Sequence, residues 1–160
     1  MATVNLSDYQ PLQIDDASSF RIGIVVSEWN DFVTYNLRDG ALEVLTKEGV
    51  KEENIKIFKV PGAFELNYAS MQLCKTDYFD AVIAIGCVIR GETPHFDYVC
   101  SAVAQGIKDC NVLTDVPTIF CLLTDDTKEQ SIARSGGALG NKGVEAAATA
   151  LEMILFKRAL

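Results

Sequence analysis

Basic residues are scarce in this 160-residue chain: 14 Lys and Arg stand against 22 Asp and Glu, a formal net charge of −8. No Lys/Arg cluster occurs, and without a basic patch to meet phosphates the chain is expected to bind no nucleic acid. Long apolar runs are missing too. None reaches the roughly 18–20 residues that a membrane span needs, so no membrane partner is expected. Histidine occurs once, as His95, and the five cysteines (Cys74, Cys87, Cys100, Cys110, Cys121) include no Cys-x-x-Cys pair. A structural zinc site needs several such ligands at close spacing, so no metal site is expected. An odd, scattered set of cysteines fits free thiols in a reducing, cytoplasmic setting better than a disulfide framework. Residues 1–20 lack the basic start and apolar stretch of a secretory signal, and the sequon Asn5-Leu6-Ser7 carries no weight without one. Repeats and low-complexity segments are absent, which excludes solenoids.

What is present suits one folded domain. Apolar residues make up 49 % of the chain and charged residues 22 %, enough to bury a core at this length. Short β-branched runs alternate with longer helical patterns. Residues 21–27, 55–60, 81–86 and 118–123 read as strands, and 81–86 is apolar throughout, as when both faces are covered. Helical periodicity covers 31–48, with Leu37, Ala41, Val44 and Leu45 on one face and Gly49 as the stop. It returns over 65–75 and again after Thr93, where Val99, Val103, Ile107 and Cys110 share a face. Thr93 suits the N-cap there and Pro94 the first helical position. A short helix over 127–134, a loop punctuated by Gly136, Gly137 and Gly140, and a long helix over 144–158 complete the chain. Strands alternating with helices imply right-handed crossovers. The prediction is an α/β fold, a three-layer αβα sandwich on a four-stranded parallel sheet.

In such folds ligands bind outside the carboxyl ends of the strands. Trp29 and Asn30 follow the first strand, Ala63, Phe64 and Glu65 the second, and Cys87 to His95 the third. Asp125-Asp126 follows the fourth. The single tryptophan and single histidine thus converge on one edge. Each has a plainer reading. A lone Trp is usually a core filler, yet Trp29 stands beside Asn30 and Asp31 at a helix start, which favours a half-exposed stacking face. His95 could be an ordinary surface histidine. Its place at a helix start favours a ring that can accept a proton, and it is the sole acid–base candidate near neutrality. Gly91-Glu92-Thr93-Pro94 could be a simple turn, or a set of free N–H groups for an anion; the charge of Glu92 argues against the anion. Arg134 and Lys142 could be solvated cations, or could complete a phosphate site, Arg134 by a bidentate grip.

Other motifs fail. Gly140-Asn141-Lys142 is not a P-loop, and no Gly-x-Gly-x-x-Gly follows the first strand. No Gly-x-Ser-x-Gly elbow exists. A Cys87–His95 nucleophile pair is conceivable, but Cys87 ends an apolar run, where an inert thiol is the better reading. From the residues alone the site is one for an aromatic, phosphorylated small molecule.

Four motifs narrow this further. Residues 60–66 (Val-Pro-Gly-Ala-Phe-Glu-Leu), residues 86–99 (Gly-Cys-Val-Ile-Arg-Gly-Glu-Thr-Pro-His-Phe-Asp-Tyr-Val), Gln130 to Arg134, and Gly140-Asn141-Lys142-Gly143 occur in order. On them the chain resembles the 6,7-dimethyl-8-ribityllumazine synthase family, from about Arg21 to the end. The resemblance divides the chain into an N-terminal arm (1–20) and one flavodoxin-like domain (21–160). It implies condensation of 5-amino-6-(D-ribitylamino)uracil with 3,4-dihydroxy-2-butanone 4-phosphate, with loss of phosphate and water and no metal or organic cofactor.

It also implies roles. Trp29, standing where the family more often has Phe, would stack on the pyrimidine, with Asn30 beside it. Ala63 and Glu65, flanking Phe64, would hold the ribityl chain. Cys87, Val88 and Ile89 would offer backbone groups to the pyrimidine edge, and Cys87 stands where Thr or Ala is common. Glu92 and Thr93 match phosphate-binding positions, together with Arg134. His95 matches the proton-transfer residue. Lys142 matches a substrate contact, and Phe120, Arg134 and Lys142 would come from a neighbouring subunit. Cys121-Leu122 stands where Gly-Val is usual. The family forms homo-pentamers, twelve of which close in many members into a sixty-subunit icosahedral shell, and the short loop between Arg134 and Asn141 points to the shell. Two rivals share parts of this pattern: an archaeal-type riboflavin synthase, acting on two lumazines, and a non-enzymatic flavodoxin-like binding or receiver module.

Overall fold

A computed structural model describes residues 5–160. In chain order the elements are β1 (Ile22–Ser27), α1 (Asp31–Lys47), a 3₁₀ turn (Glu52–Asn54), β2 (Ile55–Val60), α2 (Leu66–Cys74), β3 (Ala81–Ile89), α3 (His95–Leu113), β4 (Thr118–Asp125), α4 (Lys128–Arg134), the short strands β5 (Ser135–Gly137) and β6 (Gly140–Asn141), and α5 (Lys142–Arg158). Every residue of β1 is buried, as are the first seven of β3. These two strands form the middle of a parallel sheet in the order β2–β1–β3–β4. Side chains alternate across it, because successive strand residues point to opposite faces. Ile24 and Val26 of β1 pack toward α1 and α5, and Val25 between them packs toward α2 and α3. The result is the expected three-layer αβα sandwich. Residues on the second strand are only partly covered, since β2 lies at the sheet's edge.

Small residues set the closest approach. α1 and α5 lie against each other through Gly143 and the alanines Ala146, Ala147 and Ala150. A Cβ on Gly143 would stand 1.8 Å from the carbonyl oxygen of Leu37 in α1, so only glycine fits. Residues 5–20 lie against the domain as well. Leu6 N–H donates to the Leu139 carbonyl at 2.7 Å, and the Tyr9 hydroxyl to Glu48 Oε1 at 2.9 Å.

Several boundaries differ from the sequence reading. β3 runs past Gly86 to Ile89, and β4 past Leu123 to Asp125, because the two remain paired as far as Ile89↔Asp125. Cys87, Val88 and Ile89 are therefore strand residues rather than loop. Gly86 lies inside β3 at a close approach, where a Cβ would come within 2.7 Å of Leu122 Cδ1. Thr93 does not cap α3. Pro94 occupies the N-cap with an α-helical backbone and no side-chain cap bond, and His95 opens the helix. The glycine loop folds into the small β5–β6 hairpin. Asn141 caps α5 by accepting Gly143 N–H at 2.8 Å, so α5 starts two residues early.

Candidate active site

The carboxyl ends of β1, β2 and β3 open into one cleft of about 700 Å³. Its first wall follows β1. Asn30 sits there in the left-handed region, φ 61°, which asparagine tolerates better than most residues. Its amide Nδ2 donates to the Cys87 carbonyl at 3.0 Å, while its own carbonyl accepts the first N–H groups of α1, from Val33 and Thr34. This kink throws Trp29 outward, 68 % exposed, with its backbone N–H on the Pro61 carbonyl at 3.0 Å. The indole lies over Gly62, where a Cβ would be 2.5 Å from Cε3. Trp29 is thus a presented aromatic face and not a core filler.

The second wall follows β2 and carries Ala63, Phe64 and Glu65. Glu65 Oε2 accepts the Gly62 N–H at 3.0 Å, which fixes the carboxylate at the head of α2. The floor is the end of β3. β1 pairs with β3 only as far as Val26↔Ile85, whereas β4 accompanies β3 to its last residue. Past Ile85 the side of β3 that faces β1 therefore runs beyond its partner strand. Cys87 turns its carbonyl that way, toward Asn30, and Ile89 turns its amide the same way by strand alternation.

The Cys87 side chain points to the other face. Its Sγ is buried and donates to Ser131 Oγ at 3.5 Å, and burial pushes the thiol up to about 11. With its hydrogen on Ser131, the thiol is turned away from His95, an arrangement that favours an inert Cys87 over a nucleophile pair.

α3 supplies the third wall: His95, with Tyr98, Val99 and Ala102. The sequence reading gave none of the last three a place in the site and put Val99 on the helix's apolar face. They stand three, four and seven residues after His95, the spacing of one helical face, and that spacing was the available signal. Glu92 and Thr93 lie exposed on the turn ahead of α3. The structure does not bring Phe120, Arg134 or Lys142 into this cleft. They lie on or beside β4, one strand further along the sheet. Arg134 Nη1 donates to the Gln130 carbonyl at 3.2 Å and stands 3.7 Å from Asp125 Oδ1. Asp125 is itself buried and accepts from Ser131 Oγ at 2.8 Å. Lys142 pairs with Glu145 one turn on. No group of three or more potential metal ligands occurs among the described residues, and no helix described there is long and apolar enough to cross a membrane.

A cleft with a stacking ring, a bare strand edge, a fixed carboxylate and an imidazole is suited to holding a flat, hydroxylated heterocycle and moving protons on it. Comparison with known proteins points the same way. The family model for 6,7-dimethyl-8-ribityllumazine synthase matches residues 19–158. Proteins carrying that name include one from Flavobacterium psychrophilum, 56% identical over 95% of this chain and 80% of its own. Another, from Parabacteroides distasonis, is 54% identical over 98% of this chain and 99% of its own. A third, from Phocaeicola vulgatus, is 51% identical over 100% of this chain and 96% of its own.

Proposed function

The chain belongs to the 6,7-dimethyl-8-ribityllumazine synthase family, and from that premise we propose that the cleft is where its riboflavin-pathway condensation takes place. The enzyme joins 5-amino-6-(D-ribitylamino)uracil to 3,4-dihydroxy-2-butanone 4-phosphate, releasing phosphate and water. The observation that carries the assignment is the shared cleft of Trp29, the β3 edge and His95. Trp29 stacks on the pyrimidine, and the backbone of Cys87 to Ile89 reads its polar edge. Glu65 keeps one carboxylate oxygen on Gly62 and has the other for a ribityl hydroxyl, beside Ala63 and Phe64. His95 serves the proton transfers that amine attack on a ketone, loss of a carbon-bound proton and phosphate departure require. One positioned acid–base group contributes typically ~10²–10⁴-fold, and orientation of two bound substrates supplies much of the rest.

The phosphate needs a cation that this cleft lacks. Arg134 is the candidate, with Lys142 and Phe120, supplied by a second copy whose β4 side closes over the turn at Glu92 and Thr93. The position of all three outside their own chain's cleft supports that reading, as does the 40 % exposure of Phe120. The copies form a homo-pentamer, and the tight β5–β6 hairpin, with no insertion between Arg134 and Asn141, favours twelve pentamers in a closed shell. The purified protein, given both substrates, is expected to yield the fluorescent lumazine with matching release of inorganic phosphate. Absence of product with either substrate omitted is part of the expectation; absence with both present contradicts the function.

A further inference from the structure

We propose that Arg90 is a positioning residue that fixes the first turn of α3 and thereby holds His95 at its place in the cleft. The inference rests on reading His95 as the proton-moving group. Little else restrains that turn. Residues 91–95 are all exposed, and the N-cap residue Pro94 offers no side-chain cap. Around Gly91, no heavy atom lies within 4 Å of where a Cβ would stand. Phe96 is the first residue of the helix to be buried.

Arg90 fills this gap from four directions. Its backbone N–H donates to the Asp125 carbonyl at 2.9 Å, continuing the β3–β4 pairing. Nε donates to Asp126 Oδ1 at 2.7 Å. Nη1 and Nη2 donate to the two oxygens of Asp97, at 3.3 and 3.0 Å. The flat face of the guanidinium lies 4.0 Å from the centre of the Phe96 ring. One side chain thus ties the end of β3 to the first turn of α3 and to the β4–α4 junction. Asp126 is held in turn, its N–H on Gln130 Oε1 at 2.8 Å. Any one exposed ion pair contributes little. A bidentate fork that also stacks on a buried ring is a stiffer device, and a lysine ammonium cannot copy it. Arg90 is not among the cleft's lining residues, and its charge is shared between two carboxylates. It is therefore placed to act on the residues between its anchors, of which His95 is the one in the cleft.

The test is a double-mutant cycle in the condensation assay, using Arg90→Gln, His95→Ala and the double variant, with Arg90→Lys beside them. Arg90→Gln is expected to lower kcat roughly three- to ten-fold with the KM for the uracil unchanged, and Arg90→Lys to recover part of the loss. The double variant is expected to be no slower than His95→Ala alone, because a group that acts through His95 has nothing left to position. A loss from Arg90→Gln that multiplies onto that of His95→Ala overturns the proposal while leaving His95 its role. A His95→Ala enzyme as fast as the parent removes His95 from the chemistry, and Arg90 with it. Should Arg90→Gln fail to fold, Asp97→Asn replaces it in the same cycle, since it weakens the fork on the first turn of α3 and keeps the Asp126 pair and the Phe96 contact.

Discussion

Trp29 is held by its backbone and left free at its ring, an arrangement that serves binding more than stability. Stacking of a base on an aromatic side chain is worth about 1–3 kcal/mol. Trp29→Ala is therefore expected to raise the KM for the uracil roughly 5- to 150-fold, with a melting temperature close to the parent's. A large fall in melting temperature with unchanged KM would mean that the indole is structural. Gly62 belongs to the same device, since any larger residue would push the indole off its seat. Two buried thiols behave in the opposite manner. Burial pushes Cys87 up to about 11 and Cys121 up to about 12. The folded protein keeps these protons where the unfolded chain, with thiols near about 8.5, gives them up. Their stabilising contribution is thus whole below about pH 8.5 and is lost as pH rises through the folded values. Thermal melts are expected to show stability falling above about pH 9, and Cys87 to resist alkylation at about pH 8 until the protein unfolds. Rapid labelling of native Cys87 would contradict the inert assignment.

The elements were legible where the signal was local. Alternation of apolar runs and helical faces located every strand of the parallel sheet, and the Thr127-x-x-Gln130 pattern forms a reciprocal capping box at the head of α4. Ends set by partners were not legible. Nothing within residues 87–89 says that they continue a strand; β4 says it, through pairing that reaches Asp125. Gly86 is required by Leu122 and Leu66, contacts that only the folded sheet supplies. Gly143 is a similar case and gives a prediction of inverted sign. Ala for Gly within a helix normally stabilises by about 0.5–1 kcal/mol. Here the new methyl meets the Leu37 backbone at 1.8 Å, and overpacking costs about 1–3 kcal/mol. Gly143→Ala is expected to melt lower than the parent by denaturant titration; a more stable protein would mean that α1 and α5 do not approach as described.

On the scale of the whole molecule, half of the site was readable and half could not be. Residues following β1, β2 and β3 meet because the topology of a parallel sheet brings its carboxyl ends together, a rule that needs no coordinates. Arg134 and Lys142 sit away from that edge in their own chain, and only an interface between copies would bring them to it. Arg134→Ala is expected to raise the KM for the butanone phosphate well above its effect on the uracil; equal losses would separate Arg134 from the phosphate.

The most direct measurement co-expresses two crippled chains, His95→Ala and Arg134→Ala, and assays the purified mixed assembly. With the imidazole and the guanidinium of each site drawn from adjacent copies, about one quarter of the sites in an equal mixture regain both groups. Activity is then expected to rise well above that of either variant assembled alone. Activity no greater than the average of the two would place both groups in one chain's site and contradict a crevice shared between copies.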